Sequence, residues 1–507
     1  MINLSILLAD FLEVFRIKSI NDFTPEMMVE QLRNEGAEIV EKWLYKYPDC
    51  TEDLMQPIYQ YYLADRKVKK QDYTPQSLAM TAAALAGAEN AEKICDLCAG
   101  SGAMSIQAWR RNSQAEFIAI ELDKTVIPFL IFNMLCRHMK GTVICADILT
   151  QEVFQVWRVC DNGFDELQER PVLAHLKADI CISNPPFNIK WDAPMTLSGD
   201  VRFDKYGTPS SANANYAFVL TALLYAERSA LILPNSVLTS DDEIRQSLIM
   251  DNLIDAVVTC PDSMFESTNI GTCIISLNRC KTTGVVSFVD ARQKYMISRR
   301  EQNGQFGGTS HTNRTYSKEI KVFTSDIISE ISHVVKCRVK SDLFAKSVNG
   351  AVIAENNYSL IPSKYIEFLE EPMKHRPYAE IVNDLNRVID RRNSCKLIIN
   401  GTMARGMGID VDLLSKSSND FGNEFSDEFI KKIAGVEIIK TDYISFTKNK
   451  GEICFKNNSK ESVPELLLVF LMSWRMLVME CNNEENKYLA ELRDALIPDL
   501  MSGKIKI

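Results

Sequence analysis

No apolar run in this 507-residue chain reaches the roughly 20 residues a membrane-spanning helix needs, so a transmembrane protein is not expected. The opening stretch MINLSILLADFLEVFRIKS starts apolar, but Asp10 and Glu13 interrupt it, and it has neither a basic leader nor a small-residue cleavage site. An amphipathic helix is the expectation there, not a secretory signal, and with it a cytoplasmic location. A paired cysteine framework is also missing. The 14 cysteines are scattered, and the one CxxC, Cys95 to Cys98, sits in an apolar strand signal. No second Cys or Cys/His pair stands at zinc spacing, so reduced core thiols and no bound metal are expected. Positive charge is in deficit as well, with 57 Lys and Arg against 67 Asp and Glu, a net charge of −10. Such a chain cannot hold a polyanion over its whole surface; basic residues would have to be gathered locally or supplied by another subunit. Three clusters exist, Arg66-Lys67-Val68-Lys69-Lys70, the stretch Arg292 to Arg300, and Arg391-Arg392, each of which reads first as a solvated face. There is no internal repeat and no low-complexity tract.

What is present points to a globular α/β protein. The length exceeds one compact core, and two to four domains are expected. Residues 1–70 read as helical: Leu8, Phe11, Leu12 and Phe15 fall at i, i+3, i+4 and i+7, and Met28 and Leu32 are again four apart. From 71 to 285 short apolar runs alternate with helical stretches. The runs are Lys93–Leu97, Glu116–Glu121, Thr142–Asp147, Ala178–Ser183, Ala230–Pro234 and Cys273–Leu277. Fully apolar short strands separated by helices indicate a mostly parallel sheet covered on both faces. Residues 286–375 read as an extension of that domain, with an exposed loop expected at Gly304–Ser310. Residues 376–507 read as a mixed and helical C-terminal region containing the apolar helix Leu466–Leu471.

Asp96-Leu97-Cys98-Ala99-Gly100-Ser101-Gly102 follows a strand and precedes a helix. Gly100 and Gly102 let the backbone turn tightly and approach a ligand that a Cβ would displace, and Asp96 can accept from a ligand ammonium group. Alone, such a turn is weak evidence, because several nucleotide-binding folds use one. The next strand ends in Glu121, placed to accept from both ribose hydroxyls, and the one after in Asp147, placed to accept from an adenine amino group. Any one of these acids could simply cap a helix. Three at the carboxyl ends of successive strands mark the edge of an open α/β sheet where ligands bind.

The sharpest signal is Asn184-Pro185-Pro186-Phe187, directly after another apolar strand. By composition it should arise by chance in about one chain in a few hundred of this length. The amino nitrogen of adenine is a poor nucleophile because its lone pair is delocalised into the ring. The Asn184 side-chain oxygen and the Pro185 carbonyl are acceptors that can take its two N–H groups and favour charge developing on nitrogen. The prolines hold those acceptors in place, and Phe187 offers a face for an extruded base, worth roughly 1–3 kcal/mol. In-line methyl transfer then needs positioning more than a strong base. The plainer alternative is a turn after a strand with Phe187 in the core.

On these residues the chain resembles the amino-methyltransferases, specifically the modification subunits of type I restriction–modification systems, which are N6-adenine DNA methyltransferases. The family's Tyr/Phe-Thr-Pro motif ahead of the cofactor turn is matched by Asp72-Tyr73-Thr74-Pro75, which implies that Tyr73 and Thr74 lie at the cofactor. The resemblance continues through Tyr206-Gly207-Thr208-Pro209, Asn215-Tyr216-Ala217-Phe218 and Leu233-Pro234-Asn235-Ser236 to the loop Pro261–Thr272, where Phe265 would help hold the extruded base. It covers about residues 70–290 and weakens toward 370. It implies a Rossmann-like methyltransferase core using S-adenosylmethionine, double-stranded DNA as substrate, and specificity and restriction subunits as partners. Two departures stand out. Leu97-Cys98-Ala99-Gly100 replaces the family's frequent Pro-Ala-Cys-Gly, sparing Asp96 and both glycines, and the first 70 residues do not match the family's helical domain.

Glu491–Gly503 looks like the terminal helix of type I specificity subunits, with Leu489, Leu492 and Leu496 on one face. It is either a closing helix or one that docks on a partner. The rival functions are a methyltransferase-like scaffold without activity, and an RNA or protein methyltransferase using the same tetrapeptide.

Overall fold

The computed structural model describes residues 4–63, 73–161, 163–191, 199–265, 268, 270–303, 315–339, 344–366, 376–406, 445–446, 453–454 and 465–501. Two compact units result, Met1–Leu369 and Glu370–Ile507.

In the first unit, helices α1 (Leu4–Val14), α2 (Pro25–Lys46), α3 (Met55–Tyr62) and α4 (Gln76–Ala86) precede the first strand. Helix α2 starts where its sequence says it should: the Thr24 side chain accepts from the Met27 N–H at 3.2 Å, and Pro25 occupies the first turn, where its missing N–H costs nothing. The strands are β1 (Lys93–Asp96), β2 (Glu116–Glu121), β3 (Lys140–Asp147), β4 (Glu152–Cys160), β5 (Gly163–Leu167), β6 (Ala178–Ser183), β7 (Ala226–Pro234), β8 (Ile254–Thr259), β9 (Thr272–Asn278) and β10 (Val285–Asp290). Then come β11 (Met296–Asn303), β12 (Thr315–Val322) and β13 (Ala345–Asn349). Strands β11 and β12 form a separate hairpin. The other eleven make one sheet in the order β13-β10-β8-β9-β7-β6-β1-β2-β3-β4-β5.

Its centre, β3-β2-β1-β6-β7, is parallel, as the sequence led us to expect. The antiparallel pairings are those of β9, wedged between β7 and β8, of β4 with β3 and β5, and of the edge strand β13 with β10. Nothing in a strand's own sequence announces this. Among the described residues, the segments before β4, β5 and β9 contain no crossover helix, and without one a strand can return only in the opposite sense. Strand β1 has β2 on one side and β6 on the other, so the chain order reverses between them and opens a crevice at their carboxyl ends.

Helices α5 (Ala103–Arg111), α6 (Ile127–Cys136) and α9 (Ser325–Lys336) cover one face together with α1 to α4, while α7 (Asn215–Tyr225), α8 (Asp242–Met250) and α10 (Gly350–Glu355) cover the other. Successive strand residues feed alternate cores. Ile94, Phe117, Ala119, Val143 and Ile180 point to the first, and Cys95, Ile118, Ile120, Ile144 and Cys181 to the second. This is why the strands read as unbroken apolar runs.

The N-terminal helices have no core of their own. Phe11 stacks on Phe129 at 5.7 Å, Phe15 meets Phe132 edge-on at 5.1 Å, and Met28 and Leu32 are buried in the same cluster. Buried Arg137 ties the following segment to α6, donating from Nε to the Cys50 carbonyl at 2.8 Å and from Nη2 to that of Glu52 at 2.7 Å.

The second unit contains α11 (Tyr378–Gly406) and α12 (Glu465–Met501), with a short hairpin of β14 (Ser445–Phe446) and β15 (Ile453–Cys454) between them in sequence. The helices run antiparallel: Arg376 bridges Glu491 at 2.9 Å and Asp384 at 2.8 Å, while Arg391 and Arg392 pair with Glu484 and Glu485. On α12 Leu489 and Ile497 are exposed, and Leu492 and Leu496 are half-buried.

Two of the three basic clusters therefore meet acids of their own chain. Arg391 and Arg392 hold the helix pair, and in the other cluster Arg292 pairs with Asp290, Lys294 with Glu330 and Arg299 with Glu319. The cluster Arg66–Lys70 and the loop Gly304–Ser310 lie outside the described residues. Among the described residues, no helix is long and apolar enough to cross a membrane.

Candidate active site

The glycine turn lies at the carboxyl end of β1, beside the reversal of strand order. Gly100 and Gly102 have φ of 56° and 106°, and a Cβ on Gly102 would stand 3.1 Å from Leu130 Cδ1. Positive φ and the close helix behind it both call for glycine there. Asp96 closes the strand and is fully buried. Its Oδ2 accepts from Ser105 Oγ at 2.8 Å, while Oδ1 is buried without a hydrogen-bond partner. Burial pushes the Asp96 carboxyl up to about 7, against the lowering effect of the Ser105 hydroxyl and with Glu121 adding to the rise. A buried carboxylate oxygen without a donor is rare and costly in a folded protein. It fits the ammonium group of an amino-acid-like ligand seated on the turn.

Glu121, at the end of β2, is buried and grips the turn: Oε2 accepts from the Gly100 N–H at 2.8 Å and Oε1 from the Asp123 N–H at 2.7 Å. Burial raises its carboxyl despite those two backbone donors. Each carboxylate oxygen has capacity for a further donor, so ribose hydroxyls can be accepted as well. Asp147, at the end of β3, is half-buried, and its Oδ1 accepts from the N–H groups of Leu149 at 2.8 Å and Thr150 at 3.3 Å. Asp96, Glu121 and Asp147 thus end three strands that neighbour one another in the sheet. On the sequence expectation that Glu121 holds the ribose of S-adenosylmethionine, Glu121→Ala should weaken cofactor binding about 10- to 100-fold, the loss of one or two charge-assisted hydrogen bonds. Calorimetry with S-adenosylhomocysteine would measure this, and an unchanged affinity would place the ribose elsewhere.

A supporting layer went unseen in the sequence. Asp53 accepts from Ser101 Oγ at 2.5 Å and, through Oδ1, from Asn133 Nδ2 at 2.7 Å; Asn133 Nδ2 also reaches the Ser101 carbonyl at 2.8 Å. Buried Tyr59 donates to Asp123 Oδ2 at 2.6 Å. In the sequence Asp53 shows only as a residue able to cap α3, which it does through the N–H groups of Met55 and Gln56. Its reach to Ser101, 48 positions away, has no local signature.

Asn184-Pro185-Pro186-Phe187 leaves the end of β6, next to β1. Buried Asn184 donates from Nδ2 to Thr74 Oγ1 at 2.9 Å. That bond fixes the rotation of the amide and sets Oδ1 on its other branch. The motif ahead of the cofactor turn and the tetrapeptide, 110 residues apart, are therefore in direct contact. Tyr73 packs edge-on against Tyr59 at 6.2 Å. Phe187 is buried and meets the buried ring of Phe265 edge-on at 5.5 Å, so the loop after β8 reaches the tetrapeptide. Asn188, at φ 50°, accepts through Oδ1 from Asn215 Nδ2 and Ser236 Oγ, both at 3.1 Å. These contacts gather the Asn215 and Ser236 motifs around the exit of the tetrapeptide.

A sheet reversing at β1 and β6, with β9 running against its neighbours, and with a glycine turn beside Asn-Pro-Pro-Phe, defines a Rossmann-like methyltransferase fold. The chain belongs to the N-6 DNA Methylase family, whose model matches residues 50–373. It is 27% identical over 349 residues to the methylase subunit of the type I restriction enzyme MpnII of Mycoplasma pneumoniae, a match covering 64% of this chain and 58% of that one. To the HindI methylase subunit of Haemophilus influenzae it is 25% identical over 384 residues, covering 70% and 78%. Among solved structures, the type I restriction-modification methyltransferase subunit of Streptococcus thermophilus superposes with a TM-score of 0.50 at 22% identity, covering 72% and 77%, which speaks to the fold.

Proposed function

We propose that this protein transfers a methyl group from S-adenosylmethionine to the N6 amino group of adenine in double-stranded DNA. In this reading it is the modification subunit of a type I-like restriction–modification system, with its target chosen by a specificity subunit. The observation that carries the proposal is the buried Asn184 amide, oriented by Thr74 at the carboxyl edge of the sheet, beside the strand whose end bears Asp96.

The residues divide the work. Asp96 receives the ammonium of the amino-acid end, Glu121 the ribose and Asp147 the adenine amino group, with Gly100 and Gly102 allowing close approach and Tyr73 and Thr74 bordering the same space. S-adenosylmethionine supplies an electrophilic methyl group on sulfur. Asn184 Oδ1 and the Pro185 carbonyl accept the two N–H groups of the target amine and stabilise the positive charge that grows on nitrogen during attack. Phe187 and Phe265 line the apolar side on which an extruded base is held.

Dependence on a partner is supported by charge. With a net −10 and two of its three basic clusters paired to its own acids, the chain is poorly equipped to grip duplex DNA unaided. The exposed Leu489 and Ile497 on α12 suit a docking role for that helix.

The test is transfer of radiolabelled methyl from S-adenosylmethionine to unmodified genomic DNA, followed by digestion to nucleosides, with the chain alone and with its co-encoded neighbour. N6-methyladenine formed only with the neighbour is the expected result. Label from the chain alone would overturn partner dependence. Cofactor binding without label on DNA in either case would redirect the assignment to RNA or protein substrates.

A further inference from the structure

The segment after the tetrapeptide contains a buried cation that none of the assignments above uses. The Arg202 side chain is wholly inaccessible to solvent, and its partner Asp200 is only 9% exposed. Asp200 grips it bidentately: Nε lies 3.0 Å from both carboxylate oxygens and Nη2 is 2.6 Å from Oδ2. The Phe203 ring lies 4.8 Å from the guanidinium carbon, and Thr221 Oγ1, on α7, accepts from Nη1 at 3.3 Å.

The rest of the guanidinium is directed at the turn after β3. Nη1 donates to the carbonyl of Ile148 and Nη2 to that of Leu149, each at 2.8 Å. These carbonyls belong to the peptide units whose N–H groups, on Leu149 and Thr150, donate to Asp147 Oδ1. Two consecutive peptide planes are therefore held at both ends, with oxygen on Arg202 and nitrogen on Asp147. In a trans peptide the C=O and N–H point in opposite directions and the plane is rigid, so the position of the guanidinium is passed directly to the carboxylate. Charge at both ends polarises the two peptide units in the same sense, which strengthens each bond in the chain.

We propose that Arg202 is a positioning residue for the adenine end of the cofactor site. Through these two peptide units it holds Asp147 in place and links it to the chain segment that follows Asn-Pro-Pro-Phe. The inference rests on the assignment of Asp147 to the adenine amino group. A lysine cannot reproduce the arrangement, because a single ammonium cannot serve Asp200 and both carbonyls in the fixed fork geometry of a guanidinium. Arg202→Lys keeps the buried charge and releases the turn.

The experiment compares binding of S-adenosylhomocysteine and S-inosylhomocysteine by calorimetry, using the full chain. Hypoxanthine presents a carbonyl where adenine presents its amino group, so Asp147 should favour the adenosyl ligand by about tenfold or more. Arg202→Lys is expected to shrink that preference to about twofold, mainly through weaker adenosyl binding. A merely structural loss would weaken both ligands alike. Asp200→Asn, which loosens the guanidinium without deleting it, is expected to shift the preference in the same direction and serves if Arg202→Lys does not fold. Asp147→Asn, measured in parallel, separates the two ideas. If Asp147→Asn abolishes the preference while both clamp variants retain it in full, the clamp is overturned and the adenine assignment stands. If Asp147→Asn leaves the preference intact, the adenine assignment falls and the clamp with it. No binding of either ligand by the unaltered chain would remove the cofactor reading as a whole.

Discussion

Asn184→Ala is expected to lower methyl transfer by about a thousandfold while leaving cofactor affinity within a factor of two. The substitution removes the side-chain acceptor for the target N–H and leaves only the Pro185 carbonyl to meet charge that develops on nitrogen. Deleting one preorganised hydrogen-bonding group of this kind typically costs about 10²- to 10³-fold in turnover. The loss should reach the upper part of that range because Asn184 is buried, where water cannot take over its role. Cofactor affinity should hold, because Asp96 and Glu121 stand on other strands and the Asn184 amide donates to Thr74. Single-turnover rates with enzyme in excess, beside calorimetry with S-adenosylhomocysteine, make the measurement. Near-normal turnover would end the catalytic assignment.

The second large effect concerns Asp96. Its carboxyl stands near 7 in the folded protein, because burial disfavours the charged form, while an unfolded chain would hold it near 3.9. A raised carboxyl makes the folded protein take up a proton. Its contribution to stability is full below about pH 4, falls as pH rises toward 7, and is gone above it. The gap is worth about 4 kcal/mol at most as an order of magnitude. Asp96→Asn keeps an acceptor for Ser105 and removes the buried charge. Its Tm without cofactor should therefore exceed the parent's at pH 8, and the difference should shrink steadily toward pH 5. The same variant should lose cofactor affinity by about a hundredfold, since a charge-assisted partner of the ammonium is gone. Equal Tm values at pH 8 would mean that Asp96 carries no buried charge in the cofactor-free state. A site residue that destabilises the empty protein is a familiar compromise between stability and function.

The Asp96 case shows how sequence and structure divide the information. Local order was legible. The apolar runs, the glycine turn, the acids at strand ends and the tetrapeptide are written within a few residues each, because strand pairing, tight turns and caps depend on neighbours in the chain. The parallel centre of the sheet could be inferred from strands separated by helices. The reversed β9 and the antiparallel edges could not, because strand direction depends on where a connection returns. The amphipathic pattern at Leu8, Phe11, Leu12 and Phe15 announced a helix, but not that Phe11 and Phe15 would be buried against Phe129 and Phe132 of the sheet's own covering helix.

The sequence alone determined which residue types would stand at the carboxyl edge of the sheet: Asp96, Gly100, Gly102, Glu121, Asp147 and Asn184. Each sits at the end of a strand or in a turn that its immediate neighbours specify. Only the tertiary structure decided what holds them. Thr74 meets Asn184 across 110 residues, Asp53 meets Ser101 across 48, and Arg202 reaches the turn beside Asp147 across 54. Hydrogen bonds of that range leave no periodicity and no spacing in the chain, because they form only once packing has brought separate elements together.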